Sequence, residues 1–449
     1  MRKHITEQVT LFASVIKWTL YASIVGALVG LGTALFLRLL AAASSQATAY
    51  PYYYYFLPLT LLASAALVHW LAPDAAGHGT EKVIEAVHKR MGKIPFAVVP
   101  VKLAATVITL AGGGSAGKEG PCAQIGAGLA SAFADLLKVS DEDRRKLVIC
   151  GIGAGFATVF GTPIAGALFG VEVLVLGHML YEVLFPSFVA GIIGYHVAIA
   201  LGVQYPHQTA SLLPNLSGWS FLEVIALGVC CGLMALLFIE VMKLGHKIFN
   251  RIPWHWSFKA IFGGLLLAAI GGLVSQSYLG LGLETMETAL NGGTIPAGSA
   301  FWKILASSIT LSCGGSGGVV TPIFVIGTSV GNLFAQLLNE PYLAFFSAIG
   351  MVALLAGAAN TPIAASVMAM EMFGPEIAPF AAISCMVSFL IVGYRSIYPS
   401  QLLGIQKSGQ FNVPTGGAIG EMGAVTVSPR KQPLFGLMLK VRRRYRMRK

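Results

Sequence analysis

Long apolar stretches without a single charge dominate the pattern along this chain of 449 residues. Each is close to or longer than the roughly 18 to 20 residues that cross a bilayer as an α-helix. The pattern therefore predicts a protein that passes through a membrane several times as helices. The uncharged stretches cover residues 18–37, 147–171, 260–283, 304–339, 341–370 and 377–394.

The N-terminal stretch is too long for the apolar core of a secretory signal peptide. No small-residue cleavage site ends it before more apolar sequence follows. We therefore expect the N-terminus to stay attached to the chain.

An internal repeat divides the chain into two halves. The sequence T-P-I-A at 162–165 recurs at 361–364, and in both copies a glutamate, Glu172 or Glu371, follows ten residues after the threonine. Upstream, the pattern G-x-x-x-P-x-x-x-I-G at 117–126 recurs at 318–327. Two blocks in the same order at nearly the same offset indicate a duplication.

The duplication predicts the domain organisation. We expect an N-terminal membrane half at 1–203, a linker at 204–218, a C-terminal membrane half at 219–407 and a basic tail at 408–449. Duplicated membrane halves usually bind their substrate at the interface between the repeats, where broken helices meet.

Glycine and proline mark one break in each half, at 112–121 and at 314–322. Glycine permits irregular backbone and proline favours the first position of a helix, so Gly117 with Pro121, and Gly318 with Pro322, predict helix N-termini inside the membrane. Such termini present free N–H groups and partial positive charge, which together attract anions. The alternative, a pair of simple helix kinks, suits a single break better than two matched ones.

Glu119 stands within the first break, and an ionisable residue at membrane depth is a candidate functional residue. Its carboxylate is suited to occupy the place of a permeant anion and to leave that place when protonated. We therefore predict that Glu119 is a gate sensitive to protons and anions. The alternative is a structural acid paired with Lys118.

Two further polar positions precede the first break. Lys102 is the sole charge in its segment and either raises the positive potential along an anion path or extends to the membrane interface. His78 and Gly79 precede an amphipathic stretch at 81–91, which predicts a third inward-pointing helix. His78 is then a donor to an anion, the alternative being a histidine in a surface loop.

The net charge of +11 does not indicate nucleic-acid binding, because nine lysines and arginines lie in the segment 430–449 with no acid. Such a segment is typical of a cytoplasmic tail near anionic lipid, and the basic N-terminus indicates the same side. We expect a multi-pass protein of the cell (inner) membrane with both termini cytoplasmic.

The six cysteines form no metal-binding pattern and are interpreted as small buried apolar residues.

The G-K-E-G-P sequence at 117–121 resembles the G-[RK]-E-G-P signature of the CLC family of chloride channels and chloride/proton antiporters. The resemblance covers nearly the whole chain. It implies that Glu119 is the gating glutamate and that Lys118 and Gly120 help to bind the anion.

Two further segments carry the resemblance. The family motif G-x-F-x-P falls at 318–322, with Val320 in place of phenylalanine, and implies that the N–H groups of Val319 and Val320 face the anion. Tyr398 matches the family's C-terminal tyrosine, whose hydroxyl contacts the central anion.

The segment H-G-T-E at 78–81 falls where the family has S-G-I-P, so His78 replaces the serine that binds the central anion. This difference leaves the preference for chloride over other anions open. The retained G-K-E-G-P sequence argues against the fluoride-exporting branch of the family.

Antiporters of the family commonly carry an inner proton-passing acid directly after a glutamate. Here Glu172 is retained and the next position is Val173, which binds no proton. The sequence therefore favours a passive chloride channel gated by voltage or pH, with a proton-coupled chloride antiporter as the alternative.

The resemblance also implies the assembly. We expect an all-α CLC fold of two inverted halves with tilted and broken helices, forming a homodimer with one pathway per subunit. Chloride and other small anions, and protons in the antiporter case, are the expected substrates, with no cofactor and no regulatory nucleotide-binding domains. An intramembrane enzyme would need a metal or nucleophile motif, which the sequence lacks.

Overall fold

The computed structural model describes residues 2–205, 220–339, 342–423 and 426–427. In these ranges sixteen α-helices are joined by turns, and four strands of two residues each complete the regular structure. Seven helices are long and apolar enough to cross a membrane. The expected all-α membrane fold is confirmed. Most of the predicted linker, 206–218, and the basic segment 430–449 lie outside the described residues.

Each half contributes eight helices. The first half contains α1 (Arg2–Thr48), α2 (Leu57–Leu71), α3 (Thr80–Lys89), α4 (Val98–Ala111), α5 (Glu119–Leu136), α6 (Asp141–Phe160), α7 (Pro163–Glu172) and α8 (Tyr181–Ala200). The second half contains α9 (Ser220–Arg251), α10 (Trp256–Leu273), α11 (Leu283–Leu290), α12 (Ser299–Ser312), α13 (Val320–Leu338), α14 (Leu343–Ala359), α15 (Pro362–Phe373) and α16 (Ala378–Val392). The halves match element by element: α4 and α12 both have 14 residues, while α3 and α11 are both short.

Three of the long uncharged stretches contain two helices each rather than one span. Within 147–171, α6 ends where Gly161 adopts a left-handed conformation (φ 74°), and α7 starts at the following Thr-Pro pair. Asn360 (φ 57°) separates α14 from α15 in the same way. A left-handed residue followed by proline is a common helix stop. The stretch 304–339 is divided by its glycine run.

The helices of each half cross closely at glycine. A Cβ atom on Gly126 of α5 would overlap the carbonyl oxygen of Gly151 on α6, and one on Gly327 of α13 would overlap that of Gly350 on α14. In lipid there is no hydrophobic drive between helices, so close packing through small residues holds them together. The repeated glycines are therefore packing positions of the two inner helix pairs.

Reciprocal hydrogen bonds join the halves at the two breaks. Gly117 N donates to Gly318 O (2.7 Å), and Gly318 N donates to Gly117 O (2.6 Å). The pairing is antiparallel. Equivalent residues that bond reciprocally are related by an approximate two-fold axis, as the predicted inverted repeat requires.

The two repeated glutamates cap helices of the opposite half. The carboxylate of Glu172 accepts from Ile363 N (3.1 Å) and Ala364 N (2.8 Å) at the start of α15. The carboxylate of Glu371 accepts from Ile164 N (3.0 Å) and Ala165 N (2.8 Å) at the start of α7. The first N–H groups of a helix have no partner within it, so these acids satisfy donors that would otherwise be buried unpaired.

The chain after α16 folds back onto the first half. Strand β1 (Val175–Leu176) pairs in parallel with β2 (Leu402–Leu403), while β3 (Phe411–Asn412) and β4 (Thr426–Val427) pair antiparallel. Leu403 N donates to Gly417 O (3.0 Å). Ordered structure therefore continues beyond residue 407, where we placed the end of the membrane half.

Five of the six cysteines are buried as expected, but Cys230 is exposed.

Candidate functional site

Both predicted breaks end at a helix N-terminus in the protein interior. Helix α5 begins at Glu119 and α13 begins at Val320, and the glycine loops before them are almost entirely buried. Val319 and Val320 are 1% and 0% exposed. Irregular backbone at this depth is tolerated only inside protein or beside a cavity. The structure thus brings the two N-termini together, with the Gly117–Gly318 pair between them.

Glu119 reaches across this junction to the N-terminus of α13. One carboxylate oxygen accepts from Thr321 N (3.0 Å), and the other accepts from Thr321 Oγ1 (2.5 Å). Glu119 is 1% exposed. Its side chain therefore occupies the position at a helix N-terminus where an anion would be bound.

Lys118 does not hold Glu119 by an ion pair in the described chain, because both carboxylate oxygens bond to Thr321. Lys118 is half-buried and lines a cavity of about 380 Å³ together with Arg38 and Tyr205. Two cations in the lining of a low-dielectric cavity favour the presence of anions there. Arg38, on α1, lies far from the motifs in sequence and was not among the predicted residues.

His78 and Gly79 form a tight turn against the start of α5. Thr80 N donates to His78 O (3.0 Å), and Gly79 has φ 80° and ψ −72°, the conformation of a strained γ-turn. A Cβ atom on Gly79 would overlap Gly120 O. Only glycine allows both this backbone conformation and this contact. The predicted third helix is present as α3, although it ends at Lys89 and not at Met91.

His78 and Tyr398 face each other, with ring centroids 6.0 Å apart. His78 Nδ1 and the Tyr398 hydroxyl are buried and make no hydrogen bond of regular geometry within the described part of the chain, although the side chain of Thr80 lies near the Tyr398 hydroxyl. The alternative of a surface-loop histidine is wrong, since its Nδ1 is buried. Buried polar atoms are normally satisfied, so two unpaired ones side by side indicate a ligand position.

Lys102 is fully buried and does not extend to a membrane interface. Its Nζ donates to Gly77 O (2.6 Å) and Ala75 O (3.1 Å), the segment that leads to His78. Lys303 is equally buried and donates to Gly280 O (2.7 Å) before α11. Sequence reasoning missed Lys303, although it follows Lys102 at the same offset as Gly318 follows Gly117.

Val173 is fully buried at the end of α7, and the Glu172 carboxylate beside it is engaged by α15. Gln401 donates to Val173 O (3.1 Å) and so joins this position to the segment after Tyr398. A second acid, Glu81, lies close to the segment after Tyr398. Glu81 accepts from Ser400 N (2.9 Å) and Ser400 Oγ (2.5 Å). Neither Glu81 nor Gln401 was predicted, because only the fold brings both close to Tyr398.

A family profile described as voltage gated chloride channel matches residues 59–393. A chloride/fluoride channel protein of Pseudomonas syringae pv. tomato is 38% identical over 411 residues, which is 89% of this chain and 90% of the relative. The voltage-gated ClC-type chloride channel ClcB of Escherichia coli is 28% identical over 316 residues, 67% of this chain and 74% of the relative.

Solved structures give the same comparison in three dimensions. A CLC-type fluoride/proton antiporter superposes with a TM-score of 0.81 at 27% identity, covering 86% of this chain and 98% of the other. A slow cyanobacterial Cl⁻/H⁺ antiporter superposes with a TM-score of 0.72 at 23% identity, covering 84% of this chain and 94% of the other. This second similarity is one of fold.

Proposed function

Because the chain belongs to the voltage-gated chloride channel family, we propose that it exchanges the small halides fluoride and chloride for protons, with Glu119 as the gate. Anion transport of the CLC type and a multi-pass membrane location follow from family membership. The choice of anion, the proton coupling and the roles of individual residues are the proposal.

The position of Glu119 carries the proposal. Its carboxylate accepts the backbone N–H and the hydroxyl of Thr321, as a bound halide would. Protonation removes the negative charge that holds it there, and the side chain then leaves. An anion takes its place, and loss of the proton restores the blocked state. One carboxyl group thereby links the passage of anions to the binding of protons.

Donors around the junction suit a small anion. Thr321 supplies two, Tyr398 and His78 supply one each in the appropriate tautomer, and the helix N-termini add partial positive charge. Fluoride loses the most hydration of the halides and so needs several donors to offset that loss. The G-K-E-G-P motif argued against fluoride export. We include fluoride because two relatives are named for it.

Proton coupling is favoured over the passive channel that the sequence suggested. The passive reading rests on Val173 and agrees with the name of the Pseudomonas relative. The solved fluoride/proton antiporter, 27% identical and covered over 98% of its length, supports exchange. An acid at position 173 is dispensable if another carboxylate serves the inner side.

Ion pairs support the proposed orientation of the chain in the membrane. Lys17 bonds to Asp143 (2.6 Å) and Lys146 to Glu182 (2.7 Å), so Lys17 on α1 and the starts of α6 and α8 share one side. The basic residues there support a cytoplasmic location for that side. The β1–β2 pair brings the C-terminal segment to the same side. A homodimer with one pathway per subunit, in the cell's inner membrane and in contact with lipid, completes the proposal.

Transport in liposomes tests the proposal. The purified full chain is reconstituted with internal fluoride or chloride, and an anion electrode and a pH electrode follow release into a medium without halide. We expect both anions to leave and protons to move uphill into the liposomes in a fixed ratio to the anion. Release of anion with no proton movement would make the protein a passive channel, and no release would refute transport.

A further inference from the structure

We propose that Glu81 is the inner proton-transfer residue, which carries protons between the solution on the side of the chain termini and Glu119. This inference rests on the proposed exchange of halides for protons. It assigns to Glu81 the task that Val173 cannot perform.

The carboxylate oxygens of Glu81 differ from those of the other acids near the pathway. Both oxygens of Glu119, Glu172 and Glu371 accept hydrogen bonds from a helix N-terminus. In Glu81, Oε1 accepts both bonds from Ser400, whereas Oε2 is buried and has no partner among the described residues. A proton added to Oε2 breaks no hydrogen bond, whereas a proton added to the other acids displaces a donor.

Glu81 lies next to the ligand position, at the N-terminal end of α3. It is three residues after His78 in the first turn of α3, and its partner Ser400 is two residues after Tyr398. The charges of both Glu81 and Glu119 act on the Tyr398 phenol. At the other end of α3, the His88 ring bonds to Leu174 O (3.1 Å) beside β1, on the side of the chain termini.

The charged neighbours of Glu81 leave it free to change charge. Lys82 and Glu85 act on it from its own helix, and the Tyr398 phenol faces it from the segment after α16. Lys82 bonds to Glu85 (3.1 Å), and Lys89 lies 3.6 Å from the same acid. The lysines are thus engaged with Glu85, and no ion pair fixes Glu81 as a permanent anion within the described ranges. Glu81 as a residue is partly exposed, whereas its Oε2 is buried, so water has to reach this oxygen when the proton is exchanged.

The proton step needs no other reactant. When protonated Glu119 has left Thr321, its proton passes through water to Oε2 of Glu81, and the Glu119 carboxylate returns to Thr321. Glu81 then releases the proton to water on the side of the termini and returns to its anionic form. One proton is thereby moved per cycle, and no covalent bond between heavy atoms changes.

A purely structural role for Glu81 is the competing explanation, because its bonds to Ser400 also position Tyr398. Replacement of Glu81 by glutamine distinguishes a structural role from proton transfer. The Glu81→Gln variant keeps a carbonyl oxygen that accepts from Ser400 but binds no proton at neutral pH. Glu284→Gln is the matched control, since Glu284 is an exposed acid in the first turn of α11, the counterpart of α3.

Fluoride and proton fluxes in liposomes test the proposal. We expect Glu81→Gln to lower proton flux at least about tenfold and to leave fluoride flux within about twofold of the wild-type chain. Glu284→Gln should leave both fluxes unchanged. In Glu81→Asp, which keeps a titratable group, we expect proton flux to recover in part.

Two results would overturn the assignment: wild-type coupling in Glu81→Gln, or a parallel loss of fluoride and proton flux in a variant with the wild-type gel-filtration profile. If Glu81→Gln does not fold, Glu81→Asp is the test: a proton flux below that of the wild-type chain with fluoride flux within about twofold supports the assignment, and a parallel loss of both fluxes in the folded variant overturns it. An absence of proton movement in the wild-type chain would instead refute the proposed exchange.

Discussion

Replacement of Glu119 by glutamine is expected to abolish proton transport and leave an anion flux that no longer depends on pH. The neutral amide resembles the protonated acid, which has lost the charge that holds it on Thr321. In the wild-type chain, the protonated fraction of a limiting carboxyl group changes about tenfold per pH unit above its pKa. In Glu119→Gln that dependence disappears, so fluoride flux measured in liposomes across the acid and neutral range should vary by less than about twofold.

Glu284→Gln is the control for this result. Glu284 lies in the first turn of α11, the counterpart of α3, and is exposed. Its replacement should leave the pH dependence and the proton flux of the wild-type chain intact. A steep pH dependence or residual coupled proton transport in Glu119→Gln would contradict the role of Glu119 as the gate.

Replacement of Glu172 by alanine is expected to cause a large loss of stability, because its carboxylate joins the two halves. The substitution leaves the N–H group of Ala364 buried without an acceptor and removes the acceptor of the partly buried Ile363 N–H. An unsatisfied buried donor costs about 1–3 kcal/mol, so we expect a loss of at least about that size. Thermal unfolding in detergent should show a lowered midpoint.

Glu371→Ala tests whether the equivalent cap in the other direction also stabilises the protein. It removes the acceptor of the N–H groups at the start of α7. We expect a loss of the same sign, smaller because Glu371 is less deeply buried than Glu172. Glu376→Ala, at an exposed acid just after α15, should leave the midpoint unchanged. An unchanged midpoint in Glu172→Ala would mean that the caps do not hold the halves together.

The repeat made much of the fold predictable from sequence. Matched glycine and proline positions placed the starts of α5 and α13 correctly, because few backbones other than a helix N-terminus suit such a sequence. The repeat also marked Glu172 and Glu371. It could not show that each acid caps the opposite half, since that exchange depends on how the halves pack.

The remaining residues of the site depend on contacts between distant segments. Glu81 meets Ser400 across more than three hundred residues, and Arg38 joins Lys118 at a cavity through the position of α1. Hydropathy could not separate α6 from α7 either, because both helices and the turn between them are apolar. Lys303 was within reach of sequence analysis, because the repeat offset applied to Lys102 finds it.

Bromide binding to the Glu119→Ala variant tests most directly whether this carboxylate occupies the place of a permeant anion. Anomalous diffraction locates bromide in crystals of the variant and of the wild-type chain. We predict a bromide peak within hydrogen-bond distance of Thr321 N and Oγ1 in the variant, and none there in the wild-type chain, where Glu119 accepts both bonds. A variant with no bromide at Thr321, or a wild-type chain with bromide and Glu119 both bound there, would contradict the account.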